Sequence, residues 1–171
     1  MKNHYRKVFK SDHLGVADLE DLMESGSSMV FTIKHVKQEI GVRVAGKKGD
    51  HNIAYFHEPI KPLVLNAGNS AIVKGFAGGS PFVEDWQNIP VQFYIDNNVT
   101  FGRSVVSGVR IHHQQPKQIT ANDIESINGL LESTGANKEK FLKFFNVNTV
   151  EQIPGASVGK AVIMLKAKGN K

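Results

Sequence analysis

Apolar and polar positions alternate along the first two thirds of the 171-residue chain and recur every three to four residues in the last third. From residue 29 the alternation is regular: Met29, Phe31 and Ile33 fall on one side, Thr32 and Lys34 on the other, as in a half-buried strand. Residues 40–44 alternate again and are expected to be its hairpin partner. Residues 45–52, with Gly46, Gly49, Asp50 and Asn52 around the adjacent Lys47 and Lys48, read as a loop, and residues 53–56 as a third strand. Pro59 and Pro62 interrupt the edge there. Asn66 is an N-cap signal for a helix whose apolar side is Ala71, Ile72, Val73 and Phe76, closed by Gly78 and Gly79. Val91, Phe93 and Ile95 then alternate with Gln92, Tyr94 and Asp96. After the turn-rich residues 97–102, Val105, Val109 and Ile111 oppose Arg110 and His112. Ahead of all these, Ser11 or Asp12 is expected to cap a short helix through residues 17–23 that ends near Gly26.

Three strands, one helix and two strands describe a five-stranded OB-fold-like barrel of order β-β-β-α-β-β, with a small half-barrel or an SH3-like fold as its main rival. The expected class is mainly β with α. Residues 114–118, polar and containing Pro116, separate this barrel from a change to helical spacing. Domains are therefore expected at 1–115, with the short N-terminal helix, and at 116–171, a linker and small helical module. In the second, Thr120 and Asp123 form a capping box beneath a stripe of Ile124, Ile127, Leu130 and Leu131, with Ile119 as staple. Gly135 ends that helix. Asn137 starts one carrying Phe141, Leu142, Phe144 and Phe145; Thr149 caps a single turn before Pro154; and a last helix buries Val158, Ala161, Val162 and Leu165.

The absence of cysteine excludes disulfides, thiolate nucleophiles and cysteine-ligated metals. No run approaches the roughly 18 apolar residues of a membrane span, and no apolar signal segment follows the basic opening, so no membrane and a cytoplasmic location are expected. Lys and Arg number 21 against 16 Asp and Glu, a net charge of +5 that favours polyanionic partners without requiring them. The excess is shared: 13 basic and 11 acidic residues lie in 1–115, 8 and 5 in 116–171.

Single-stranded nucleic acid needs cations along its phosphates and flat side chains under its bases. The candidates are Arg43, Lys47 and Lys48 at the first hairpin loop, Arg103 and Arg110 on the last hairpin, and Tyr55, Tyr94 and Phe101 as platforms. Two loops of an OB-fold flank one groove, so their convergence there is the expectation. Trp86, beside Glu84 and Asp85 and after a helix, reads as a barrel plug. His112 and His113 are successive on a strand and point to opposite faces, which argues against one metal ion. No carboxylate pair comes with a nuclease motif, and the glycines of residues 75–79 follow a helix where a phosphate loop precedes one. No enzyme, metal or cofactor is expected.

His4-Tyr5-Arg6-Lys7-Val8-Phe9, Lys61-Pro62-Leu63-Val64-Leu65-Asn66, Glu84-Asp85-Trp86, and Val99-Thr100-Phe101-Gly102-Arg103 with Gly108-Val109-Arg110 together resemble phage-encoded OB-fold single-stranded-DNA-binding proteins of replication and recombination clusters. The likeness covers most of residues 1–113. Residues 133–154, with Phe141-Leu142-Lys143-Phe144-Phe145, resemble a helical module attached to phage recombination proteins, single-strand annealing proteins included. This resemblance implies non-catalytic binding of single-stranded DNA in the host cytoplasm, with residues 119–168 meeting a phage or host replication or recombination protein, and it leaves a homo-oligomer open. Bacterial single-strand-binding proteins end in an acidic recruiting tail; here the last residues include Lys166, Lys168 and Lys171, so that mode of recruitment is not expected. The rival readings are a protein-interaction or host-takeover module that uses the barrel as scaffold, and, more remotely, a metal-dependent nuclease.

Overall fold

The structure, a computed structural model, describes residues 11–44, 46–145 and 147–169, the side chain of Phe101 excepted; the basic opening through Phe9 lies outside the described residues. The elements run α1 (Val16–Glu24), β1 (Val30–Val44), β2 (Lys47–Phe56), β3 (Leu63–Leu65), α2 (Ala67–Phe76), β4 (Ile89–Phe101), β5 (Ser104–Ile111), α3 (Ala121–Thr134), α4 (Lys138–Phe144) and α5 (Val158–Gly169). The chain divides into two compact units, residues 1–115 and 116–171.

In the first unit the five strands form one open antiparallel sheet of order β3-β2-β1-β4-β5. Mixed α/β structure with a five-stranded sheet therefore holds, while among the described residues no ladder joins β3 to β5. The expected strand count is met by different strands. The segments around residues 29–34 and 40–44, read as hairpin partners, are one continuous β1. Gly41, at φ 68°, sits in an irregularity between Glu39 and Val42 that lets the strand bend without ending. The residues read as a loop from 47 onward belong to β2, and Leu63–Leu65 supplies the third strand. The turn-rich residues 97–101 likewise stay inside β4, with a register shift between Asp96 and Val99. α1 covers the expected residues 17–23, but its N-cap is Gly15 and not Ser11 or Asp12, and the Gly15 N–H donates to the Asp18 carboxylate at 2.9 Å.

A second bulge, between Ile33 and His35, explains which side chains of β1 go inside. Phe31 and Ile33 are buried at odd positions, then Val36 at an even one, because the extra residue flips the alternation. The core under the sheet adds Leu19 of α1, Leu63, Leu65, Val73 of α2, Val91, Phe93 and Ile111. Phe31 and Phe93 stack at 5.3 Å between centroids, with Phe56 edge-on to both. Trp86 lies in this core as the plug reading expects, its indole N–H donating to the Ser80 carbonyl at 2.9 Å.

α2 covers the outer edge of β5. Asn66 caps it through the Asn69 N–H, and Asn69 faces the sheet, 1% exposed. Its amide donates to the Val109 carbonyl and its oxygen accepts from the Ile111 N–H, both at 3.1 Å. One side chain thus supplies the donor and acceptor that a neighbouring strand would otherwise offer β5.

The second unit is built around Ile127, Leu131, Phe141, Leu142, Val150, Ile153, Ala161 and Leu165. Thr120 and Asp123 make the reciprocal capping box of α3, and Gly135, at φ 62°, closes it. Phe144 is 54% exposed, with the Lys160 ammonium 4.8 Å from its ring centroid. α4 is only two turns long, and Phe141 and Leu142 already use its inner side.

Candidate nucleic-acid interface

Strand alternation sorts the candidate residues before any contact is considered. Tyr55 lies between Ala54 and Phe56, and Tyr94 between Phe93 and Ile95, all of which turn to the core. Both tyrosines therefore sit on the opposite face of the sheet. On that face Tyr55 is opposite His35 in the ladder, and the two rings stack at 5.0 Å with 22° between planes. Lys37 brings its ammonium to 5.8 Å from the tyrosine centroid. The Tyr55 hydroxyl donates to the Glu39 carboxylate, and this bond, with burial and the negative charge behind it, raises the phenol above its ordinary pKa. His35 is pushed down by desolvation first and then by the charges of Lys37, Lys34 and His57.

Tyr94 is opposite Arg110, and its ring meets His112 at 4.6 Å, tilted by 43°. The Arg110 Nε lies 3.6 Å from the Asp96 carboxylate. Arg43 pairs with Lys48 and Val44 with Lys47 at the end of the β1–β2 ribbon, where all three cations are exposed. Arg103, also exposed, is in the turn between β4 and β5. Phe101 is the last residue of β4, and the position of its ring lies outside the described residues.

The two ribbons leave the short β1–β4 ladder in opposite directions. That ladder pairs Val30 with Gln92 and Ile33 with Ile89, so β1 continues past one end of it and β4 past the other. The structure thus groups the candidates into two sets: Arg43, Lys47, Lys48 and Tyr55 on the first ribbon, Tyr94, Arg103 and Arg110 on the second. Sequence reasoning missed His35 and Lys37, and weighed His112 only as a metal ligand. Each becomes visible only through the register, because His35 and Tyr55 are 20 positions apart and meet solely as cross-strand neighbours.

Tyr94 and Arg110 also border an open groove of about 840 Å³ whose other wall is α2, through Gly68, Ala71 and Gly75. Glu84 and Asp85 are exposed elsewhere, with the Ser80 hydroxyl donating to Asp85. Among the described residues no cluster of three metal-ligating side chains is formed, and no helix is long and apolar enough to cross a membrane. Comparison with family models, curated proteins and solved structures returns no match to this chain.

Proposed function

We propose that the chain binds single-stranded DNA, without turnover, on the non-core face of an OB-like sheet, in the setting of phage replication or recombination. The observation that carries the reading is the pair of aromatic and histidine contacts on that face, each beside a cation: His35 on Tyr55 with Lys37, and His112 on Tyr94 with Arg110. Partly exposed rings offer surfaces on which bases stack irrespective of sequence, and the neighbouring cations meet the phosphates. The strand order is that of an OB barrel opened between its third and fifth strands, where α2 lies. The phage setting rests on the resemblance of the quoted segments alone, and a cytoplasmic location goes with it.

The test is a salt-titrated anisotropy measurement with labelled single-stranded and duplex DNA. Six cations, Arg43, Lys47, Lys48 and Arg103 with Lys37 and Arg110, predict a log–log salt slope of about −4.2 for a single strand, from about −0.7 per neutralised phosphate. Replacing Lys47, Lys48 and Arg103 by alanine together should flatten the slope to about −2.1 and leave the melting transition nearly unchanged. No binding at low salt, or equal preference for duplex, refutes the proposal.

A second reading, protein docking through the helical unit, is favoured by one feature: Phe144 and Ile163 are 54% and 70% exposed. A partner retained at high salt, with no DNA binding, would select it.

A further inference from the structure

We infer that the groove between α2 and the β4–β5 ribbon is a nucleotide slot, in which one base of the strand stacks on Tyr94 while its phosphate meets Arg110. This inference rests on the single-strand reading and adds to it a contact with the helix that the strands and loops alone do not supply.

The first observation is chemical. A flat ring, a guanidinium and an apolar wall from Ile72 and Phe76 face one groove of about 840 Å³, within the size range of small-ligand sites. Arg110 engages Asp96 through Nε at 3.6 Å, and among the described residues its two terminal nitrogens make no hydrogen bond. They present the fork that suits a phosphate. The Asn69 amide holds Val109 and Ile111 from the strand edge, so residue 110 between them is fixed toward the outer face. His113 stands at the rim.

The second observation concerns α2. Gly68, Ala71 and Gly75, spaced by three and four, form one helix face and line the groove. Glycine inside a helix is destabilising relative to alanine. Gly75 has no positive φ to require it, and a Cβ there would meet nothing within 4 Å. Neither backbone conformation nor internal packing accounts for the residue. Its effect is to keep the groove wall low, which admits a planar ligand against the helix.

The variant Gly75→Leu extends into the groove from a position where a Cβ meets nothing within 4 Å, and it improves helix propensity, so the melting temperature should hold or rise. Affinity for a labelled oligothymidine should fall roughly tenfold, the weight of one base stack. Ala71→Leu, exposed on the same face, should act alike and serves if Gly75→Leu folds poorly. Gly75→Ala should leave affinity within about twofold. Wild-type protein that binds the oligonucleotide, weakens on Lys47→Ala with Lys48→Ala, and is unchanged by both leucine variants overturns the slot and spares the single-strand reading. Wild-type protein that does not bind overturns both. Leucine variants that lose thymidine monophosphate and keep the oligonucleotide show a site for free nucleotide and overturn the slot as a strand contact.

Discussion

Replacing Asn69 by alanine removes the two groups that hold the outer edge of β5. The Ile111 N–H is fully buried and would lose its acceptor; the Val109 carbonyl is half-buried and would lose its donor. An orphaned buried polar group costs about 1 to 3 kcal/mol, so the N–H at full weight and the carbonyl at a discount for water access give about 3 kcal/mol. For a unit of 115 residues, whose unfolding entropy is near 0.24 kcal/mol/K, the loss corresponds to roughly 12 °C in melting temperature. Thermal unfolding followed by the fluorescence of Trp86, the single tryptophan, reads this unit, and amide exchange at Ile111 reads the bond directly. Asn69→Asp sharpens the case. Its carboxylate keeps an acceptor for Ile111 but opposes the Val109 carbonyl, whereas the protonated acid restores both partners. Burial and that carbonyl raise the folded-state pKa above the unfolded value, so its stability relative to wild type is greatest below about pH 4 and falls as pH rises through the folded pKa. A loss under about 1 kcal/mol for the alanine variant, or a pH-independent aspartate variant, would refute the edge-capping argument.

Two further outcomes are expected. Gly155→Ala should destabilise the helical unit by about 2 kcal/mol or more, because its Cβ would lie 2.5 Å from the Lys117 carbonyl oxygen and 2.6 Å from that of Gln118, backbone that cannot step aside; an unchanged urea midpoint by helical circular dichroism would contradict this. Glu39→Ala should bring the Tyr55 phenol back toward its ordinary value in an ultraviolet titration. A pKa raised on folding stabilises below the unfolded value and ceases to do so as pH rises through the folded one, so alkaline pH should erode wild-type stability more than the variant's. Identical phenol titrations in the two proteins would dismiss the Glu39 bond as its cause.

Local chemistry made some elements readable in advance. Asn66, Thr120, Gly135 and Asn137 act within their own helix turns, and they appear where the spacing puts them. Strand boundaries were less legible, since Gly41, Gly46 and Gly49 look alike in sequence while a bulge, a turn and a paired strand residue differ in register. The candidate face was legible by residue type at Tyr55, Tyr94 and Arg110. Its composition was not, because His35, Lys37 and His112 join it through partners on other strands. The groove against α2 was hidden for the same reason: Asn69 meets residues 40 and 42 positions ahead of it.

Beyond Val36 the β1–β2 ribbon has no core beneath it; no described residue from 37 to 52 is buried. Two strands without a hydrophobic backing are marginal on their own, so the free energy that opens this ribbon lies far below that of the whole unit. The exposed lysines and Arg43 are thus carried by a segment that bends at little expense to the fold. On the proposed reading, a strand of irregular path is met by an arm that conforms to it, while the face around Tyr94, tied down by Asn69, stays rigid.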